Sequence, residues 1–212
     1  IRYLVRSRGL GDVYKRQTMD RLYDSLNTSG NLEIWKVYED GKKELFFADH
    51  NMIVSGLGAS LMSLFGGIHS NDITDYQIRY FQVGTSSHAS VTTSITNLHT
   101  PITQVQYDPS ATANIVVSSV FIRLSDSAKV EQDAVQIPWQ HMKRITPTSV
   151  LYTLVLDTQA ANDLTLNEVG LFVRSPFRQG TVPTPVLAAY KKFPFLDKKR
   201  EFSLIFKWTL YF

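Results

Sequence analysis

The chain has 212 residues, of which 43% are hydrophobic and 19% charged, and it contains no cysteine. That length accommodates one large domain, or a main domain with a small appendage, and buries about 70% of its unfolded surface without disulfide or metal staples. The missing cysteine excludes disulfide scaffolds, Cys-ligated zinc, iron–sulfur clusters and thiol nucleophiles, and no apolar run approaches the ~20 residues of a membrane-spanning helix.

The net charge of +3 would suggest a nucleic-acid partner, but its distribution argues against one. Residues 1–17 carry Arg2, Arg6, Arg8, Lys15 and Arg16 against a single acid, Asp12. Removing them from the 22 basic and 19 acidic residues leaves 17 and 18, a net charge of −1. This leader lacks helical or strand periodicity and the apolar core of a secretory signal. Its stretch RSRGLGDVYKRQ resembles translated sequencing-adapter read-through, which implies a natural start at Met19. The rival reading is a basic arm that binds phosphates or a partner. Residues 1–30 are therefore expected to be a disordered or artefactual leader, and residues 31–212 a single β-sandwich domain.

The first element is a hairpin over residues 32–47. Leu32–Tyr38 partly alternates apolar and polar residues, Asp40-Gly41 supplies the positive φ of a tight turn, and Lys43–Phe47 returns. A helix is expected at about 51–66, capped by Asp49 or Asn51. Its apolar face would carry Ile53, Val54, Leu57, Leu61, Leu64 and Phe65, and Gly66-Gly67 would end it. Gly56 and Gly58 inside it suggest close backbone packing or a late start.

From Tyr76 onward the pattern is β. Tyr76, Ile78 and Tyr80 alternate with polar residues, and Phe81 and Val83 lead into Gly84. Residues 84–114, rich in Ser, Thr and Asn, read as loop with an edge strand near Ile102–Tyr107. Strands are expected at about 115–124, 150–157, 168–174, 186–193 and 202–212. In the last of these Phe202, Leu204, Phe206, Trp208, Leu210 and Phe212 occupy alternate positions, which places them on one face of an interior strand. Short strands separated by Gly, Pro and Ser clusters predict an antiparallel, jelly-roll-like β-sandwich with one helix in its N-terminal half.

Catalytic constellations are sparse. The histidines His50, His69, His88, His99 and His141 form no zinc-hydrolase pair, and Asp49-His50 reads as a solvent-facing pair at a helix start. Gly58–Met62 half-matches a nucleophile elbow but sits inside the expected helix, and Gly56-Leu57-Gly58 lacks the third glycine of a dinucleotide turn. Asp72 with Asp75, and Asp157 with Asp163 and Glu168, are the only candidate carboxylate pairs for glycoside hydrolysis, and turn acids explain them more simply. Lys191-Lys192 and Lys198-Lys199-Arg200 read as a solvated hairpin tip rather than an anion-binding patch.

Three stretches in order, LNEVGLF at 166–172, VLAAYKKF at 186–193 and FSLIFKWTLYF at 202–212, resemble motifs of tail, baseplate and fibre-attachment proteins of tailed bacteriophages. A looser likeness covers Asn31–Gly58. Tyr190 stands where many such proteins have Arg, and the Ser175–Pro185 connection is longer and richer in proline. The resemblance implies that Asn167, Glu168, Gly170, Phe172, Leu187, Ala188, Phe193, Phe206 and Trp208 are structural residues. Independently of it, Asn167 and Glu168 are suited to tie a strand start to a loop, and Gly170 to admit backbone or an aromatic ring.

The expected function is that of a non-enzymatic virion structural protein in the tail, baseplate, neck or fibre attachment. It would be assembled in the bacterial host cytoplasm and would work as a homo-oligomeric ring or trimer with other virion proteins. No cofactor, metal, membrane or nucleic-acid partner is expected. The alternatives are a receptor- or carbohydrate-binding module using aromatics in the 84–114 loop or Trp139, and a glycan hydrolase using the acids above.

Overall fold

The computed structural model describes residues 28–66, 72–88, 90–101, 121–123, 133–137, 139–158, 160–177 and 185–212. Two antiparallel sheets pack as a sandwich. The first has five strands: β1 (Ser29–Tyr38), β2 (Lys43–His50), β7 (Met142–Thr146), β8 (Ser149–Leu156) and β11 (Phe202–Tyr211), in the order β2-β1-β11-β8-β7. The second has six: β3 (Met52–Ile53), β4 (Ile78–Gly84), β5 (Phe121–Arg123), β6 (Asp133–Gln136), β9 (Thr165–Val173) and β10 (Val186–Asp197), in the order β3-β10-β9-β4-β6-β5. Among the described residues one α-helix, α1 (Ser55–Gly66), lies in the N-terminal half. Residues 1–27 of the expected leader and the strand expected near 102–107 lie outside the described residues, as does all but Phe121–Arg123 of the strand expected at 115–124, whereas Ser29 and Gly30, expected in the leader, open β1 because they pair with Tyr211 and Leu210 of β11.

The β1–β2 hairpin turns at Gly41, whose φ of 83° is left-handed as a tight turn requires. β11 is the middle strand of its sheet, paired with β1 from Ser29↔Tyr211 to Tyr38↔Phe202 and with β8 on its other side. Its inward residues Phe202, Leu204, Phe206, Trp208 and Leu210 are buried, while Lys207 on the outer face is exposed and lies over the Trp35 ring. The alternation stops one residue short of expectation: Phe212 follows the strand and is 44% exposed. Phe206 meets Phe81 and Phe193 of the opposite sheet at ring separations of 6.3 Å, so one side chain bridges the two layers. Burying each such ring contributes about 1.5–3 kcal/mol.

The helix departs from expectation at both its start and its face. It begins at Ser55, because Met52 and Ile53 pair instead with Tyr190 and Ala189 of β10. Asp49 therefore lies within β2 rather than capping a helix. The buried helical residues are Leu57, Ser60 and Ser63, whereas Met62 and Phe65 are 72% and 79% exposed. The two serines satisfy themselves inward, Ser60 Oγ donating to the Gly56 carbonyl and Ser63 Oγ to that of Pro176. Gly56 explains the close packing: a Cβ there would collide with the Leu187 backbone, whereas Gly58 faces open space.

A second apolar cluster covers the outer face of the six-stranded sheet. Val54, Tyr80, Leu98, Phe172, Leu187 and Tyr190 are buried in it, with Met52, Val91 and Ile95 packed against them. As a result every residue of β4, and every residue of β9 after Thr165, is buried. The segment Thr85–Pro101 supplies Val91, Ile95 and Leu98, and how it is held down defines the candidate site.

Candidate functional site

All nine residues that carry the motif likeness are buried, and they fall into two groups. Phe193, Phe206, Trp208 and Ala188 belong to the core between the sheets. Asn167, Glu168, Gly170, Phe172 and Leu187 meet the Thr85–Pro101 segment or pack against what it covers.

Asn167 acts as a surrogate strand. Its Oδ1 accepts from the Ser86 N–H and its Nδ2 donates to the Ser86 carbonyl, both at 2.6 Å, so one amide satisfies both backbone groups of a buried residue. Glu168 is 0% exposed. Its Oε1 accepts the Thr100 N–H at 2.8 Å, and its Oε2 accepts the His99 N–H at 3.2 Å and the Tyr190 hydroxyl at 2.8 Å. A buried carboxylate is tolerated only with such saturation. Burial, followed by the hydrogen bond to Glu168, pushes the Tyr190 hydroxyl well above its ordinary pKa of 10.0. Tyr190 thus completes the shell of Glu168.

Two glycines make room for this arrangement. A Cβ on Gly84 would meet the Thr100 carbonyl and stand 2.6 Å from Glu168 Oε1. One on Gly170 would stand 2.6 Å from methyls of both Leu98 and Leu187, so the close approach at Gly170 is by aliphatic side chains, with the Phe172 ring edge next at 3.3 Å. Thr85 Oγ1 adds a bond to the Thr165 carbonyl at 2.6 Å. At the neck of the segment His88 and His99 stack with ring centroids 4.2 Å apart, and His99 meets the edge of Tyr190.

Beside this clamp lies a cleft of about 330 Å³ lined by His50, Asn51, Met52, Val91, Tyr190, Lys191 and Lys192. Its cations are engaged. Lys191 Nζ lies 2.7 Å from Asp49, which holds that carboxyl below 3.8, and also donates to the His50 carbonyl; Lys192 Nζ donates to the His88 carbonyl. Both side-chain polar atoms of Asn51 are buried with no hydrogen-bond partner among the described residues, and the Asn51 amide occupies the space that a Cβ on Gly30 would need. Asp49-His50 is thus an ion-paired strand end.

The candidate carboxylates do not form an open pair. Glu168 is sealed, Asp157 Oδ1 accepts the Ala160 N–H at 2.9 Å, and Asp163 is an exposed partner of Lys199 at 3.5 Å. Asp72 caps a single 3₁₀ turn (Ile73–Tyr76), and Asp75 is buried with its Oδ1 3.7 Å from Arg174. Among the described residues no three His, Asp or Glu side chains gather as metal ligands, and no helix is long and apolar enough to cross a membrane.

Two buried cations carry no signature in the sequence. Lys198, expected at a solvated tip, is 0% exposed, because its stem lies in the interior and its amine reaches Asn162 and the Lys199 carbonyl. Arg79, 7% exposed, stacks its guanidinium 3.8 Å from the centroid of Trp139, which stands 58% exposed. No period in the sequence signals either contact. Comparison of the chain with protein-family models, with curated proteins and with solved structures found no match.

Proposed function

We propose that this chain is an architectural subunit of a tailed-bacteriophage virion, placed in the tail, baseplate, neck or fibre attachment and acting by protein–protein assembly rather than catalysis. The observation that carries the reading is the use made of the motif residues. The side chains of Asn167 and Glu168 fasten Ser86, His99 and Thr100 of the Thr85–Pro101 segment to the sheet, and Glu168 also accepts from Tyr190 of β10. A carboxylate buried in this way cannot meet a substrate, so the motif builds a scaffold.

Large apolar side chains at the surface supply what a scaffold docks with. Met62, Phe65 and Ile73 are each more than 60% exposed, and Phe195 stands out from β10. In a ring or trimer each contact is repeated by symmetry, so a modest patch gives a stable assembly. Light scattering of the purified chain over a range of concentrations tests this. A discrete oligomer that dissociates on Met62→Asp with Phe65→Asp is expected. A monomer at every concentration, alone and with the products of adjoining genes, overturns it.

A second reading, a glycan-binding module, is favoured by Trp139 alone. The Arg79 guanidinium at 3.8 Å backs one face of an exposed indole, the arrangement of a stacking platform for a sugar ring. Retention on polysaccharide that Trp139→Ala abolishes would support it, and absence of retention would remove it.

A further inference from the structure

Asp163 and Leu164, just ahead of β9, are hydrogen-bonded to the turn that follows β10. The Asp163 N–H donates to the Lys198 carbonyl and the Lys198 N–H to the Leu164 carbonyl, each at 2.9 Å. Ala161 and Asp163 adopt left-handed φ values of 56° and 61°, uncommon for residues with a side chain. This geometry presents the Asn162 side chain to Lys198. Lys198 Nζ lies 3.1 Å from Asn162 Oδ1 and 2.8 Å from the Lys199 carbonyl, with the Phe202 ring centroid 5.4 Å away, and the lysine is wholly buried. On its other side the Asn162 amide is pinned by donation from Nδ2 to the Thr158 carbonyl.

We propose that the folded chain joins Lys198 to Asn162 through an intramolecular isopeptide bond. The amide carbon is at most about 4.3 Å from Nζ, since the carbonyl bond adds only ~1.23 Å to the measured contact. A small rotation of the amide brings it toward the ~3–3.5 Å of a near-attack geometry. Burial lowers the Lys198 amine from 10.5 to about 8. At pH 7 about one amine in ten is then neutral and nucleophilic, against about one in three thousand for an ordinary lysine.

The step balances without an oxidant or cofactor. The Nζ lone pair forms a bond to Asn162 Cγ, a proton passes from Nζ to Nδ2, and the Cγ–Nδ2 bond breaks to release ammonia. A secondary amide remains. The inference is independent of the assembly reading, because it concerns how the chain fastens its own turn before β11 to the loop after β8.

Tandem mass spectrometry of a tryptic digest tests it, on full-length protein whose folding has been checked by circular dichroism and which has been held in mildly alkaline buffer. The expected product is the Asn162 peptide joined to the Lys198 peptide, lighter than the two together by one ammonia and absent from Lys198→Arg and Asn162→Ala. Recovery of the two peptides separately from folded protein overturns the proposal. So does ammonia loss confined to the Asn162 peptide, which marks a succinimide at Asn162-Asp163 instead.

Discussion

The Tyr190 hydroxyl donates to Glu168 across 2.8 Å, joining β10 to β9 on the outer face of the six-stranded sheet. The same carboxylate holds the backbone of His99 and Thr100, so this bond couples the sheet to the segment above it. Tyr190→Phe removes one charge-assisted bond and is expected to cost about 1.5–3 kcal/mol. Glu168→Ala strands three donors, among them the buried Tyr190 hydroxyl, and is expected to cost about 3–5 kcal/mol. Urea denaturation measures both losses, and limited proteolysis of the Glu168→Ala chain should cut first between Thr85 and Pro101.

The two glycines of the clamp should differ in their response to a methyl group. At Gly170 the obstructing atoms are the mobile ends of Leu98 and Leu187, so Gly170→Ala is expected to lose about 1–3 kcal/mol. At Gly84 the obstacles are the Thr100 backbone and the fixed Glu168 carboxylate, neither of which can yield without breaking the clamp. Gly84→Ala should therefore be the more damaging, as read from the midpoints of thermal unfolding.

Neighbouring aromatics at the end of the chain make a sharper contrast. Trp208 is fully buried and Phe212 is 44% exposed, although both fall on the same sequence alternation. Trp208→Ala is expected to cost about 3–5 kcal/mol and Phe212→Ala less than about 0.5 kcal/mol. Equal effects in chemical denaturation would contradict this placement of the two.

Alkaline pH acts through buried phenols. Burial raises Tyr152 from 10.0 to about 12, and Tyr190 is raised in the same direction. The unfolded chain releases these protons near pH 10 while the folded chain retains them. The contribution of Tyr152 to stability is therefore complete below pH 10 and lost as pH climbs through about 12, and that of Tyr190 falls in the same sense. Spectrophotometric titration should show the two tyrosines ionising only as the protein unfolds, and Tyr152→Phe should flatten the decline in stability above pH 10.

What the sequence made legible was local or strictly periodic. Asp40-Gly41 announces a hairpin because its turn needs a positive φ, and the alternation through Phe202–Leu210 identifies an interior strand because both its neighbours bury one face. The tying role of Asn167 and Glu168 was legible in kind, but its target was not: Ser86, His99 and Thr100 lie 68 to 81 positions away. The helix misled because an apolar period cannot reveal that Met52 and Ile53 are claimed by β10, or that Ser60 and Ser63 turn inward while Phe65 turns out. Lys198 misled for the converse reason, since a run of cations reads as wet whatever surface its stems cross.

The pairing of β1 with β11 sets Leu32 opposite Trp208. A ribbon made from the two extremes of the described chain is an extreme case of non-local topology, and domains dominated by such pairings fold in roughly milliseconds to seconds rather than microseconds. Until β11 arrives, the β1–β2 hairpin has no partner for Leu32 and Ile34 and is only marginally stable alone. Refolding should therefore be slow, with a lag in which this hairpin is vulnerable to pairing with the wrong molecule, and dilution should raise the yield.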